Sequence, residues 1–144
     1  MNNLLEAAIV LATDAHRGQV DKAGADYILH PISVMAICSS EDAEINCIAL
    51  LHDVLEDSGY TVDDLYRAGM TTRIVDGVFA LTKLKGERIS DYHLRVAANP
   101  DAIKVKLADL THNMNLDRLP TVTQKDIDRN TLYKKWYKFL EKQQ

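Results

Sequence analysis

The chain has 144 residues and a net charge of −4 at pH 7, and 47% of its residues are apolar. This length predicts one domain over residues 1–144 with a single core. Because nonspecific nucleic-acid binding needs a surplus of Lys and Arg, the acidic balance disfavours a nucleic-acid partner. The sequence has no basic leader and no apolar stretch near the roughly 20 residues that span a bilayer. We therefore expect a cytoplasmic protein without membrane association, while a homo-oligomer stays open.

Helical signals run through the first part of the chain. Asn3 is a suitable N-cap for a first helix that ends near Gly18. Pro31 suits the first turn of a second helix, with His30 as its N-cap. The apolar spacing then predicts a third helix over about 42–57. Cysteine use adds little here, because the two thiols lack CxxC spacing and are expected to be reduced.

The second part of the chain continues the helical pattern. Further helices are predicted to begin at Thr61, Thr72, Ser90 or Asp91, Asp101 and Thr123. The helix from Thr72 is expected to reach about Leu84, and the KGERIS segment after it is expected to be a loop with a basic bias. Alternating strand patterns are absent. The predicted fold class is therefore all-α, a compact bundle of about six to eight helices.

The stretch LLHDVLEDSG sets four titratable side chains in an apolar run: His52, Asp53, Glu56 and Asp57. On a continuous helix that advances about 100° per residue, all four share one side. Carboxylates at this density repel one another, and partial burial raises their pKa values unless a cation compensates. The stretch is therefore either a solvated acidic patch or part of a cation site.

Two other residues favour the cation site. His30 lies at a helix start, and Asp109 lies in the apolar segment AIKVKLADL, where an unpaired carboxylate would be costly. Together with His52 and Asp53 they make a set of nitrogen and oxygen ligands. Such a mixed set suits Mn²⁺, Zn²⁺ or Fe²⁺ and leaves positions open for water and substrate.

The order of these motifs is specific. HP, then HDxxED, then KLAD resembles the HD-domain metal-dependent phosphohydrolases. More narrowly, AHRGQ, DYILHP, ALLHDVLEDSG and VKLADLTHNM together resemble the hydrolase domain of the RelA/SpoT (p)ppGpp enzymes and their small stand-alone relatives, the Mesh1-like hydrolases. The likeness covers about residues 15–114, and the length matches a stand-alone hydrolase.

This resemblance implies a reaction and a set of roles. The family's metal, usually Mn²⁺, is held by the histidine of HP, the His-Asp pair and the aspartate of KLAD. These positions are His30, His52, Asp53 and Asp109 in this chain. The family's ED pair is associated with hydrolysis and matches Glu56 and Asp57, which implies catalytic roles for both. The implied reaction is hydrolysis of the 3′-pyrophosphate of (p)ppGpp, which releases pyrophosphate and GDP or GTP.

The resemblance also implies contacts with a phosphorylated nucleotide. Lys22 and Tyr27 match residues around the nucleotide, and Asn113 would bond near the ribose or a metal-bound group. The basic loop could meet the remaining phosphates through Lys83, Lys85 and Arg88. His112 is expected to support the site or pack beside it, because a fifth protein ligand would close the open metal position.

Two departures leave other functions open. Asp21 stands where the family often has an arginine against the purine, and Asn115 replaces another basic residue. The nucleotide cradle is therefore less cationic than usual in the family. One alternative is an HD phosphohydrolase for another nucleotide, either a nucleoside monophosphate or the 2′-phosphate of NADPH. The other is a non-catalytic nucleotide-binding HD module, against which the retained Glu56 and Asp57 argue.

Overall fold

The computed structural model describes residues 3–144 as helices joined by short turns. The α-helices are α1 Leu4–Ala15, α2 Leu29–Cys38, α3 Ala43–Leu51, α4 Val54–Asp57, α5 Val62–Arg67, α6 Thr72–Ala80, α7 Ile89–Ala97, α8 Pro100–Asn113 and α9 Gln124–Glu141. A short 3-10 helix, Leu116–Arg118, precedes α9. Within residues 3–144 the only β-type pairing is an isolated bridge between Val20 and Asp26. The predicted all-α fold is confirmed, and α3 and α4 counted as one interrupted helix give eight.

Several helix starts match the sequence prediction. Thr61 and Thr123 begin α5 and α9, and each accepts a hydrogen bond from the backbone N–H three residues later. Asp64 and Asp126 complete these capping boxes by accepting from the N-cap backbone. Asn3 caps α1 through its side-chain oxygen, as predicted. Local polar signals therefore located these boundaries correctly.

Other helix boundaries differ from the prediction. His30 lies inside α2 instead of at its N-cap, because α2 begins at Leu29, two residues earlier than predicted. Asn99 caps α8 in place of Asp101, since the proline after Asn99 fills the first helical position. Helix α6 ends at Ala80, earlier than the predicted Leu84. His30 in this position is buried, at 6% exposure.

The predicted helix over 42–57 is interrupted between α3 and α4, at His52 and Asp53. The Nδ1 atom of His52 bonds the Ala49 carbonyl oxygen at 2.6 Å. A continuous helix would use that carbonyl for the Asp53 N–H, so the imidazole competes with the helical ladder. The expectation of one unbroken helical side for the four titratable residues is therefore wrong.

Helix α3 lies in the centre of the bundle, against α1, α2, α6 and α8. Its side chains Ile48, Leu50 and Leu51 are almost completely buried. A Cβ on Gly77 of α6 would lie 2.5 Å from Ile48 Cδ1, so glycine is what permits this approach of α6 to α3. This packing holds the end of α3, and with it His52, inside the protein.

Cys38 and Cys47 are free thiols, as predicted, and burial raises the pKa of Cys47 to about 11. An unreactive thiol of this kind is a packing residue.

No helix within residues 3–144 combines the length and the apolarity needed to cross a membrane.

Candidate metal centre

Side chains from three parts of the chain meet at the predicted metal site. His30 comes from the first turn of α2, His52 and Asp53 come from the break between α3 and α4, and Asp109 comes from α8. His30, His52 and Asp109 are 6%, 2% and 4% exposed. The Asp53 side chain is 17% exposed. The structure therefore places all four predicted ligands together, most of them deeply buried.

The donor atoms of these residues face one another. His30 Nε2 lies 2.8 Å from Asp109 Oδ1, and His52 Nε2 lies 3.4 Å from the same oxygen. Asp53 Oδ2 lies 3.1 Å from His52 Nε2 and 3.7 Å from His30 Nε2. One ligand atom each from His30, His52 and Asp109 lies within 4.8 Å of the others. Two imidazole nitrogens and two carboxylate oxygens thus share one small volume.

The hydrogen bonding of His52 fits a metal ion in that volume. Because the Ala49 carbonyl can only accept, His52 Nδ1 carries the proton of a neutral ring. His52 Nε2 is buried and has no hydrogen-bond partner among residues 3–144. Burial disfavours the charged ring, but the Asp53 and Asp109 carboxylates raise the pKa of His52 well above its usual value, so the metal-free ring also carries a proton on Nε2. A divalent cation would replace that proton and bind the Nε2 lone pair between the two carboxylates. The charge and chemistry of the donor set therefore suit a divalent metal.

A buried lysine completes the charge around Asp109. Lys106 Nζ lies 2.8 Å from Asp109 Oδ2 and 4.3 Å from the centroid of the Trp136 ring. Burial disfavours both charges, but the pair raises the pKa of Lys106 and holds the pKa of Asp109 well below its usual range. Asp109 therefore stays ionised, with Oδ2 on the lysine and Oδ1 towards the histidines.

Tyr27 orients the second carboxylate. Its hydroxyl donates to Asp53 Oδ2 at 2.5 Å. Burial and the Asp53 charge raise the pKa of Tyr27, so the phenol stays a donor. Burial opposes ionisation of Asp53, but the charge of the neighbouring His52 ring lowers the Asp53 pKa to about 2. Tyr27, predicted as a nucleotide contact, thus also holds a candidate metal ligand.

The last two residues of α8 also reach the centre. His112 Nδ1 lies 2.7 Å from His30 Nδ1. Burial and the Arg118 charge lower the pKa of His112 to about 4, which keeps this ring neutral near pH 7. Asn113 Nδ2 donates to Asp109 Oδ1 at 3.1 Å. Both side chains therefore contact candidate ligands directly.

Glu56 and Asp57, the predicted catalytic pair, lie beside the centre on the four-residue helix α4. Both side chains reach the surface, yet burial by the surrounding protein raises both pKa values, and the Asp53 charge adds to each shift. Glu56 Oε1 accepts a short hydrogen bond from the Lys83 backbone N–H. Two carboxylates with raised pKa values therefore border the buried group.

The basic loop lies next to Glu56. Lys83, Lys85 and Arg88 have exposed side chains, and Arg88 Nε lies 3.1 Å from Asp91 Oδ2. None of these three side chains lines the cavity that opens beside His30. Among hydrogen bonds and ion pairs, only the Lys83 backbone N–H joins these three residues to the predicted catalytic pair.

A cavity of about 310 Å³ opens beside His30. Four residues predicted from the sequence line it: Lys22, Tyr27, His30 and Asn113. Its other walls include the loop before α2, the 3-10 helix and one face of α9. Arg118 Nη1 lies 3.9 Å from Asp21 Oδ2, and Asp126 Oδ1 lies 3.7 Å from Lys22 Nζ and 3.5 Å from Arg129 Nη1. Each of these cations thus already faces a carboxylate.

An all-α bundle with a buried His–Asp group beside a cavity defines a protein with a candidate divalent-metal centre. The family model described as "HD domain" matches residues 8–133, so the chain belongs to the HD domain family. Its relatives include a guanosine-3′,5′-bis(diphosphate) 3′-pyrophosphohydrolase of Haemophilus influenzae, 39% identical over 117 residues, which are 73% of this chain and 17% of the relative.

Two further comparisons agree with that family. The bifunctional (p)ppGpp synthase/hydrolase SpoT of Escherichia coli is 36% identical over 141 residues, covering 89% of this chain and 20% of the relative. A solved structure, described as a metazoan ortholog of SpoT that hydrolyzes ppGpp and plays a role in starvation responses, superposes with a TM-score of 0.80. It shares 23% identity and covers 97% of this chain and 86% of that one. This chain therefore shares the fold of that solved structure. It spans only about a fifth of the length of the curated relatives it matches.

The sequence reasoning missed several residues around the centre. Lys106 gave a usable signal, because a lysine three residues before a buried aspartate on a helix lies on the same face. Arg118 and Tyr133 gave none, since they reach the cavity from elements far along the chain. Local spacing therefore found the donor atoms and left most of the cavity wall unpredicted.

Proposed function

We propose that this chain is a metal-dependent (p)ppGpp 3′-pyrophosphohydrolase that releases pyrophosphate and GDP or GTP. One observation carries the proposal: Glu56 and Asp57 border a buried His–Asp group whose His30 also lines a cavity of suitable size for a nucleoside. The names of the relatives support this substrate class. A cytoplasmic location and a nucleotide partner belong to the same proposal.

The proposed ligands are His30, His52, Asp53 and Asp109. Mn²⁺ is the proposed ion, with Zn²⁺ or Fe²⁺ as alternatives, because all three accept mixed imidazole and carboxylate ligands. A bound ion of this kind supplies Lewis-acid polarisation and lowers the pKa of a coordinated water. Lys106 and Tyr27 keep the two carboxylates ionised and oriented before the ion arrives.

The proposed catalytic roles belong to the two bordering carboxylates. Glu56, fixed by the Lys83 N–H, accepts the proton of the attacking water, and Asp57 orients that water. The water oxygen bonds the phosphorus next to ribose O3′, the O3′–P bond breaks, and O3′ leaves with the proton that Glu56 took from the water. Burial moves the pKa of Glu56 upwards, towards pH 7, and a general base works best when its pKa lies near the working pH.

The cavity beside His30 is the proposed place for the nucleoside. Tyr27, Asn113 and Tyr133 offer ring faces and hydrogen-bonding groups there, while Lys22 and Arg118 offer positive charge. Asn113 also contacts Asp109, so it can link the bound ribose to the metal centre. The exposed basic residues Lys83, Lys85 and Arg88 are proposed to meet phosphates that extend past Glu56.

The test is hydrolysis of ppGpp by the purified protein with Mn²⁺, with pyrophosphate and GDP measured as products. Loss of turnover in Glu56→Gln, with the fold and metal binding retained, is the expected companion result. A folded protein that binds Mn²⁺ and leaves ppGpp intact would overturn the proposal.

A second candidate is an HD phosphohydrolase for another nucleotide. The ion pairs within the cavity favour it, because Asp21 and Asp126 already offset three of the cations that a polyphosphate would need. The same assay with nucleoside monophosphates and NADPH separates the two candidates. Release of orthophosphate from one of these, without pyrophosphate from ppGpp, would favour the second.

A further inference from the structure

We propose that Arg95 is a positioning residue for Glu56 and acts through the turn of residues 82–88. Arg95 lies on α7, a helix that contributes none of the candidate metal ligands. The proposal rests on the catalytic role proposed above for Glu56, but the placement of the Glu56 carboxylate can be measured without turnover.

The Arg95 guanidinium holds both ends of the turn. Nε and Nη2 lie 2.7 and 2.8 Å from the two carboxylate oxygens of Glu87. Nη2 also donates to the Thr82 carbonyl at 2.6 Å, and Nη1 donates to the Phe79 carbonyl at 3.0 Å. One side chain thus joins the end of α6, the first residue of the turn and the far side of the turn.

Hydrogen bonds within and around the turn also fix the backbone on both sides of Lys83. Glu87 Oε1, held by Arg95, accepts the Leu84 N–H at 3.0 Å. Tyr92, also on α7, donates its hydroxyl to the Leu81 carbonyl at 2.9 Å. Lys83 therefore lies between two residues whose backbone groups are fixed, which sets the direction of its own N–H.

That N–H donates to Glu56 Oε1. It is the only hydrogen bond to the Glu56 carboxylate from residues 3–144, and Glu56 lies on a helix of four residues with its side chain at the surface. Without a fixed donor, the carboxylate would sample several rotamers, and only some would face the metal centre. Arg95 therefore sets the rotamer of Glu56 through the turn, without a hydrogen bond of its own to Glu56.

The guanidinium geometry makes arginine specific for this role. A bidentate pair with Glu87 and two carbonyl acceptors need the planar fork of donors, which the single ammonium of lysine cannot reproduce. The Arg95 and Glu87 side chains are 27% and 12% exposed, so the pair is partly shielded from water.

The test compares Arg95→Gln and Arg95→Lys with Arg67→Gln, a control on α5 whose guanidinium is exposed and pairs with Asp64. The first readout is the Lys83 amide resonance, because a hydrogen bond to a carboxylate moves the proton downfield and slows its exchange with solvent. Glu56→Gln calibrates the shift that belongs to that carboxylate. The second readout is kcat, KM and the Kd for Mn²⁺.

We expect both Arg95 variants to move the Lys83 amide towards its position in Glu56→Gln, with Arg67→Gln close to wild type. We expect kcat to fall by about 10- to 100-fold, as for a misplaced catalytic group, while the Kd for Mn²⁺ changes by less than about twofold. An unchanged Lys83 amide in folded Arg95→Lys would overturn the proposal, and so would an equal loss of metal affinity and kcat. If wild type hydrolyses no nucleotide, the proposed function fails, and the amide measurement still decides the positioning role.

Discussion

His30 and His112 face each other through their Nδ1 atoms, which lie 2.7 Å apart. Two imidazoles at this distance share one proton, so one ring donates and the other accepts. When a metal ion takes the His30 Nε2 lone pair beside Asp109, the His30 proton lies on Nδ1, which then donates to the neutral His112 ring. This arrangement is the one that usually fixes the tautomer and orientation of a metal-binding histidine.

Replacing His112 should therefore weaken metal binding. We expect His112→Phe to raise the Kd for Mn²⁺ by about 10- to 100-fold, the usual effect of losing a partner of a ligand histidine. Calorimetry measures the Kd, and the visible spectrum of the Co²⁺ form reports the ligand geometry. His112→Gln keeps an acceptor and should recover part of the affinity.

The control for His112 is His93→Phe, which retains an aromatic ring on Trp136. It should leave both the Kd and the Co²⁺ spectrum unchanged. Equal Kd values in His112→Phe and wild type would show that His30 needs no support from this ring.

Replacing Glu56 or Asp57 by the matching amide should stabilise the folded protein and stop turnover. Burial raises both pKa values above the usual carboxylate range, so each group favours folding when protonated. That contribution is complete below the unfolded-state pKa and is lost as the pH rises through the folded-state pKa. At pH 7 both ionised groups are therefore destabilising.

We expect Asp57→Asn and Glu56→Gln to raise Tm at pH 7 in the metal-free protein, and the gain should vanish at a pH below the usual carboxylate pKa. Turnover should fall by about 10²- to 10⁴-fold, the usual worth of acid–base catalysis. Thermal unfolding from pH 3 to 8 measures the first effect. Exposed Asp76 offers the control Asp76→Asn, and a lower Tm at pH 7 in both site variants would contradict the sign.

Lys106 should matter for stability more than any exposed lysine. Its bond to Asp109 joins side chains that are 14% and 6% exposed. Lys106→Met leaves a buried carboxylate without its partner, at a cost of about 3–5 kcal/mol. Lys104→Met, two residues away and exposed, should change the free energy of unfolding by less than about 0.5 kcal/mol.

Urea unfolding of the metal-free proteins checks the lysine prediction. Adding Mn²⁺ should restore part of the loss in Lys106→Met, because the ion then compensates Asp109. Similar losses in the two variants would mean that Asp109 does not depend on Lys106.

The helices and donor atoms were predictable because their signals are local. The Thr61 and Thr123 capping boxes lie within four residues, and His30, the His52–Asp53 pair and Asp109 each stand out against an apolar or proline-containing segment. Their meeting in space followed from burial, since unpaired polar groups inside a bundle need a shared partner.

The features that escaped prediction depend on contacts between distant residues. The break at His52 arises because its side chain takes a backbone acceptor, a choice that helical spacing does not reveal. The link from Arg95 to Glu56 passes through backbone groups of a turn, which carry no sequence signature. The cavity needs α9 to fold back on the loop before α2, which only the packed bundle shows.

Arg118 should govern nucleotide affinity without affecting the metal. It lines the cavity, its Nη1 lies 3.9 Å from Asp21 Oδ2, and its buried Nε has no hydrogen-bond partner within residues 3–144. A guanidinium with unused donors can bind a phosphate or the base, and a hydrogen bond to a charged group is worth about 1.5–3 kcal/mol. Arg118→Gln should therefore raise KM by about 10- to 100-fold, with kcat and the Kd for Mn²⁺ close to wild type. Arg67→Gln, at an exposed position on α5, is the control, and an unchanged KM in Arg118→Gln would place the nucleotide outside this cavity.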